Sequence, residues 1–209
     1  MKLFDFALAP SPKRVRMILV EKGLDIPIEQ VDLSKKAQFE EPFKSINPRC
    51  TVPALQLDSG EVLCDSQSIT RYLEEVYPEP PMLGSTPLEK ALVVEWITRV
   101  EQEGFMATAE AFRNSVKGMK GSAITGPVSY EQIPELAERG RARVKDFFGV
   151  LNERLAEHAF LAGENFSAAD VAAFVFVEFS GWIKLQPDEG LTHLLAWRDA
   201  VAARPSATA

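Results

Sequence analysis

The sequence predicts an α/β unit followed by an all-helical (all-α) unit, and three observations carry that prediction. The apolar pattern changes character near residue 80. Before it, short apolar runs alternate with helical patterns; after it, nearly every segment has a helical period. Residues 78–87 carry four prolines and Gly84, and proline neither continues a helix nor pairs within a central strand. The 209 residues suffice for one to two domains of ordinary size. The expected division is residues 1–77, a linker over 78–87, and residues 88–209.

Lys2–Phe6 alternates apolar and polar side chains and reads as a strand. Ser11-Pro12 reads as a helix start, with Ser11 as N-cap and Pro12 at the first helical position. Val15, Ile18, Leu19 and Lys22 share one face, and Gly23 suits the end of that helix. Ile28–Leu33 is a second strand by composition. Residues 34–50 are polar and irregular, with one helical turn expected near Glu40–Lys44. Ala54–Leu57 and Glu61–Cys64 are expected strands joined by an Asp58-Ser59-Gly60 turn. Asp65–Tyr77 has Ile69, Tyr72, Leu73 and Val76 at helical spacing. This order of elements is that of a thioredoxin-like unit.

Beyond the linker, Leu88–Val116 is one long pattern carrying Leu92, Val93, Trp96, Ile97, Val100 and Phe105. Gly118–Pro127 interrupts it. Tyr130–His158 is a second long helical region, with Val144, Phe147, Phe148, Leu151 and Leu155 on one face. Phe166–Ile183 is apolar enough to be expected buried on all sides. Leu191–Ala203 is a last amphipathic helix, stopped by Arg204-Pro205.

Composition excludes several classes. Two cysteines cannot build a disulfide framework, and His158 and His193 are too few and too far apart for a multi-histidine metal site. A net charge of −7 argues against nucleic acid and anionic membrane as partners. No apolar run reaches the roughly 18 residues of a membrane span. Asp5 interrupts the N-terminus where a signal peptide is apolar. A soluble, reduced, cytoplasmic protein without a metal is expected.

Three segments carry candidate chemistry. In Cys50-Thr51-Val52-Pro53-Ala54-Leu55, the residue before proline is held extended. A cis Val52–Pro53 bond would form a tight bend and leave the Val52 N–H and C=O free to pair with an extended peptide. An ordinary trans bond at an edge strand is the other reading. In Cys64-Asp65-Ser66-Gln67-Ser68-Ile69, a strand runs straight into a helix N-terminus, where free N–H groups bind carboxylates. Ser66 adds a hydroxyl and Asp65 can receive an ammonium, a set that suits an amino acid's own termini; alternatively these two residues only cap the helix. In Ala9-Pro10-Ser11-Pro12-Lys13-Arg14-Val15-Arg16, a hydroxyl at a helix N-terminus can donate to a thiolate that the helix dipole also favours. Here too Ser11 can be merely a cap.

These segments, in this order and spacing, resemble the glutathione transferase family. The likeness includes Ile46-Asn47-Pro48 ahead of Thr51-Val52-Pro53-Ala54-Leu55, and Asp65-Ser66-Gln67-Ser68-Ile69 followed by Tyr72-Leu73. It continues through Asn165-Phe166-Ser167-Ala168-Ala169-Asp170, which is similar to the family's buried N-capping motif, and through Trp197 with Ala203-Arg204-Pro205-Ser206. Ser167 followed by Asp170, with Phe166 before them, is also a capping box with a hydrophobic staple onto Val171.

The resemblance implies a cis Pro53 and a glutathione site on the first unit. Val52 would pair its main chain with the cysteinyl part, and Pro53 would hold the bend. Asp65 and Ser66 would bind the γ-glutamyl end, with Asp65 standing where Glu is more usual. Thr51 would line the pocket and Gln38 would contact the glycyl carboxylate. Arg14, Arg16, Lys35 and Lys36 would attract the anionic tripeptide locally, against the chain's negative charge.

For catalysis, theta- and zeta-like classes would place their serine at Ala9, whose methyl donates nothing. Beta-like classes, which use cysteine, would place it at Ser11, and no tyrosine stands early in the chain. Ser11 is the expected catalytic residue, with a backbone N–H of the same turn as the alternative. A hydrophobic electrophile would lie between the units, against Ala9, Pro10, Phe105, Thr108 and Phe112. Cys64 is expected in the core, and Cys50 beside the peptide edge. The expected activity is transfer of glutathione, as co-substrate, to an electrophilic carbon by a homodimer in the cytoplasm. Two rivals stand beside it: a non-catalytic glutathione- or protein-binding module, and a glutathione-dependent disulfide reductase or peroxidase using Cys50.

Overall fold

The computed structural model describes residues 1–209. Its first unit is a small mixed sheet with helices. β1 (Lys2–Asp5) lies between β2 (Ile28–Gln30) and β3 (Ala54–Gln56), and β4 (Val62–Leu63) closes the order β2-β1-β3-β4. β1 runs parallel to β2 and antiparallel to β3, and β3 runs antiparallel to β4. Helix α1 (Pro10–Glu21) makes the crossover that the parallel pair requires. Helix α2 is the single turn Phe43–Ile46, and α3 spans Ser66–Val76.

Successive β1 side chains reach different cores, as the two-residue period dictates. Leu3 joins Leu55, Val15, Ile18, Ile69 and Leu73 in the large core. Phe4 turns the other way and meets Val31, Phe43 and Ala54. The strands are shorter than their apolar runs suggested: β2 keeps Ile28–Gln30 of the expected Ile28–Leu33, and β4 keeps Val62–Leu63 of Glu61–Cys64.

The start of α1 differs from the expectation. Ala9, extended at φ −82°, is the N-cap, and Pro10 rather than Pro12 opens the helix; Ser11 caps nothing. Two prolines fit one first turn because N–H groups there have no helical partner anyway. The other end closes as expected. Gly23, at φ +63°, follows the last turn, and the Leu24 N–H bonds back to Leu19 O at 2.8 Å.

The second unit is helical. Helix α4 (Pro87–Arg99) opens on a Thr86/Glu89 capping box. It continues through a π-helical segment, Val100–Phe105, into α5 (Met106–Ser115). Helices α6 (Pro134–Glu157), α7 (Ala168–Ser180) and α8 (Thr192–Ala202) complete it. Gly140 allows α5 and α6 to touch: a Cβ there would lie 2.5 Å from Ala107 O. Helix α7 is buried on every side as its composition predicted, and Glu178 is its one side chain outside the core.

The N-terminus of α7 carries the expected Ser167/Asp170 capping box. Asp170 Oδ2 accepts the Ser167 N–H at 3.0 Å, while Oδ1 accepts from Leu161 N at 2.9 Å and from the Trp197 indole at 3.2 Å. Burial pushes the Asp170 carboxyl up to about 6 against these donors. Phe166 packs on Phe160 and under the Arg204 guanidinium, 3.9 Å from its ring centre. No helix is long and apolar enough to cross a membrane.

Candidate functional site

Strand register brings the three candidate segments together. Phe4 faces Ala54, and Leu55 faces Leu63. The exits of β1 and β4 and the entry to β3 therefore lie along one edge of the sheet. From that edge leave the Ala9–Ser11 turn, the Thr51–Pro53 segment and the start of α3.

The Val52–Pro53 bond is cis, and neither the N–H nor the C=O of Val52 has a protein partner. The loop before it is pinned from below. Asn47, fully buried, donates to Thr51 O at 2.8 Å and to the Thr51 hydroxyl at 3.3 Å, and accepts the Arg49 N–H at 3.0 Å. Thr51 thus has its hydroxyl turned toward Asn47, and Val52 carries the open main-chain edge. Cys50, at φ +53°, is buried. Cys64 is the more exposed cysteine, contrary to expectation, because the two-residue strand β4 that precedes it lies at the sheet edge with no further strand beyond it. Burial still pushes its thiol up.

At α3, Asp65 is the N-cap. Its Oδ1 accepts from Gln67 N and Ser68 N, each at 2.9 Å, and its Oδ2 accepts the Ser68 hydroxyl. Its carboxyl lies below the usual range: burial opposes ionisation, but the Ser68 and Gln67 hydrogen bonds and nearby Arg49 outweigh it. Ser66 is buried, and its hydroxyl makes no hydrogen bond within the chain. Gln38 sits on a short turn, Ala37–Phe39, with its Oε1 enclosed and out of reach of any donor. Of the two amide atoms only Nε2 can donate to an anion.

At α1, Pro10 and Pro12 have no N–H, and Lys13 N bonds to Ala9 O at 3.3 Å. The Ser11 N–H is the one free amide of the first turn. The Ser11 side chain is partly exposed and accepts from Arg14 Nη2 at 3.1 Å.

The expected cations are largely committed elsewhere. Arg14 is paired with Glu101, Arg16 with Asp5 at 2.6 Å, and Lys35 with Asp32 at 3.2 Å. Lys36 has no carboxylate partner. Sequence reasoning missed Arg49, exposed and unpaired beside the start of α3; its place in the turn just ahead of Val52 was the available signal.

The expected apolar wall is only partly there. Phe112 is half-buried and packs edge-on against Trp182, with ring centres 5.3 Å apart. Trp182, 47% exposed, was not anticipated. Phe105 is buried, with its face covered by the Arg14 guanidinium at 4.2 Å and a ring stacked on Phe179. Thr108 does not reach the wall: it is fully buried, and its hydroxyl donates to Gly104 O at 3.0 Å. Ala9 and Pro10 are partly exposed beside Ser11. A cleft of about 300 Å³ runs from Arg14 and Ser66 toward Val94, Ile97 and Ala172. No three His, Cys, Asp or Glu side chains are grouped to hold a metal ion.

Comparison with known proteins gives the family. Residues 10–76 match the family model described as glutathione S-transferase, N-terminal domain, and residues 118–205 match glutathione S-transferase, C-terminal domain. The chain is similar to glutathione S-transferase 2 of Saccharomyces cerevisiae, 30% identical over 99% of this chain and 87% of that protein. It is similar to a maleylacetoacetate isomerase of Pseudomonas aeruginosa, 43% identical over 44% of each chain. Among solved structures, a glutathione S-transferase domain-containing protein of Marinobacter aquaeolei superposes with a TM-score of 0.91 at 34% identity, covering 99% of both chains. The element order, the open Val52 edge beside two helix N-termini, and the buried Ser167–Asp170 box all agree with one conclusion: this chain belongs to the glutathione S-transferase family.

Proposed function

We propose that the chain is a glutathione transferase that ionises the glutathione thiol at the N-terminus of α1 and directs it at a hydrophobic electrophile. In this reading residues 1–77 bind glutathione, 78–87 are a linker, and 88–209 supply the apolar side of the second site. The observation that carries it is the pairing of two unspent sets of groups on one sheet edge. Val52 offers a free N–H and C=O, and Ser11 offers a free N–H and a hydroxyl. An extended peptide bonded to Val52 sets its cysteinyl side chain toward the α1 turn.

The energies are of the right size. Bringing a thiol pKa from about 8.5 to about 6.5 requires about 2.7 kcal/mol. A hydrogen bond to a charged group supplies about 1.5–3 kcal/mol, and a helix N-terminus adds about 0.3–1 kcal/mol. Ser11 and the α1 turn together meet that demand. Ser66, Asp65 and the start of α3 hold the γ-glutamyl end, and Thr51 and Gln38 border the tripeptide. Ala9, Pro10 and Phe112 face the electrophile, with Trp182 beyond them. Phe105 acts from behind, under Arg14.

A homodimer in the cytoplasm belongs to the same reading. Leu88 and Val94, both well exposed on α4, are apolar surface for a second copy to cover. The test is conjugation of glutathione to a chromogenic electrophile by the wild type and Ser11→Ala. Turnover that falls at least tenfold in the variant supports the reading. Glutathione binding without turnover in either protein points to a binding module. A glutathione adduct on Cys50 under oxidising conditions points to the reductase.

A further inference from the structure

Arg14 stands at a junction that the transferase reading leaves unused. It is buried on α1, yet it touches both units. Its Nη2 donates to Ser11 Oγ at 3.1 Å, its Nη1 is bonded to Glu101 Oε1, and its guanidinium plane covers the Phe105 ring at 4.2 Å. Glu101 and Phe105 both belong to the π-helical segment Val100–Phe105, where the long helix carries an extra residue in its turn. The segment presents the acid and the ring together, and they fix the guanidinium between them.

A guanidinium only donates. While Arg14 bonds to Ser11 Oγ, that oxygen is an acceptor on the Arg14 side, and the Ser11 proton is left for another partner. The free N–H of Ser11 marks the open side of the same turn. We infer that Arg14 and Glu101 are positioning residues that orient the Ser11 hydroxyl as a donor to the glutathione thiolate, so that the helical unit takes part in thiol ionisation. The bound thiol gives its proton to solvent; Ser11 keeps its own and shares it as a hydrogen bond. This inference rests on Ser11 being the thiolate donor.

Arg71 of α3 shares a cleft lining with Arg14, and the flanking elements also carry Lys13 and Arg16 on α1, Glu103 in the π-helical segment and Glu178 on α7. Glu178 pairs with Lys13 at 2.8 Å, Glu103 with Arg99 at 3.0 Å, and Arg16 with Asp5. Glu101 is the carboxylate bonded to Arg14. Two accounts of Glu101 give opposite signs. As a bare negative charge near the thiol, its removal in Glu101→Gln lowers the thiol pKa. As the anchor of Arg14, its removal loosens the Ser11 donor and raises it.

The experiment titrates the thiol of bound glutathione by its ultraviolet thiolate absorbance, with the S-methyl glutathione complex as blank. Wild type, Glu101→Gln, Arg14→Lys, Ser11→Ala, Ser11→Ala/Glu101→Gln and Glu178→Gln are compared. The inference predicts an upward shift of about half a unit to one unit in Glu101→Gln, which is about a three- to tenfold loss of thiolate below the pKa. Arg14→Lys, which keeps the charge without the fork, is expected to shift the same way. Glu101→Gln adds nothing once Ser11 is Ala, and Glu178→Gln, which cuts the neighbouring ion pair, leaves the titration unmoved. A downward or absent shift in Glu101→Gln overturns the inference, as does an equal shift in the Ser11→Ala background or in Glu178→Gln. A Ser11→Ala titration identical to wild type fails separately, because it removes Ser11 itself from the chemistry.

Discussion

Asp65 holds Ser68 twice, accepting its amide on Oδ1 at 2.9 Å and its hydroxyl on Oδ2. The carboxylate that closes the start of α3 is therefore the same one proposed to receive the γ-glutamyl ammonium. It must serve both with the lone pairs the cap leaves free.

The two duties separate in Asp65→Asn. Asparagine keeps an oxygen for the cap, so stability should fall by no more than about 1 kcal/mol. The charge is lost, and glutathione affinity should drop about tenfold, the effect of losing one charge-assisted hydrogen bond. Calorimetric titration beside a thermal melt reads both. A glutathione analogue without its α-amine should bind the two proteins equally.

Phe112 and Trp182 meet edge-on, with Trp182 partly exposed at the outer end. Phe112→Ala should raise the KM for an aromatic electrophile severalfold and leave the KM for glutathione within about twofold, since Phe112 is on the helical unit and the tripeptide edge is on the sheet. Steady-state kinetics with each substrate varied in turn gives the split. Trp182 emission should change on binding the electrophile more than on binding glutathione.

Asp170 gives stability a pH dependence of unusual sign. Its carboxyl is raised to about 6 by burial, above the 3.8 of an exposed aspartate. The folded state then binds the proton more tightly than the unfolded state does. The contribution of this group is full below about pH 4 and is lost as pH rises through 6, by about 3 kcal/mol. Denaturant melts of wild type and Asp170→Asn across pH 4–7 should show the wild-type advantage shrinking as pH rises. The variant should be the less stable at every pH, because its amide N–H₂ faces groups that are themselves donors.

The C-terminal segment is tied to α1 by a fork. Arg204 donates to both oxygens of Glu21 at 2.7 and 2.8 Å, and the Ser206 hydroxyl joins them. Arg204 and Ser206 hold the Glu21 carboxyl below its usual range. Arg204→Met should cost about 1 kcal/mol near neutrality, kept small by partial exposure. The sign is the reverse of that for Asp170. This stabilisation is present above about pH 4.5 and disappears as pH falls, so wild-type and variant melts should converge in acid.

Much of this architecture was legible because its signals are local. The change from alternating to helical apolar spacing, the proline-rich 78–87 stretch and the Ser167–Asp170 box each record a physical constraint in the residues themselves. Ser11 shows the limit. The sequence offers two prolines, either of which can open a helix, and only the extended Ala9 backbone shows that Pro10 does. The π-helical segment did leave a trace: Val100 and Phe105, both buried, are five residues apart where the preceding apolar positions recur at three and four, but one long gap does not by itself tell an extra residue in a turn from a break in the pattern. Arg14 and Arg16 read as free charge, yet their partners Glu101 and Asp5 sit on other elements, beyond any local pattern. Thr108 was placed by counting along a straight helix, and counting does not tell which side chain turns inward.

The central claim is that the α1 turn, through Ser11, ionises a thiol that the chain itself does not carry. Titration of the bound glutathione thiol in the wild type and in Ser11→Ala tests it most directly. The account predicts a pKa near 6.5 in the wild type, about two units below a free thiol, and a rise of at least one unit in the variant. A bound thiol that titrates like free glutathione, or that titrates identically in both proteins, would contradict it.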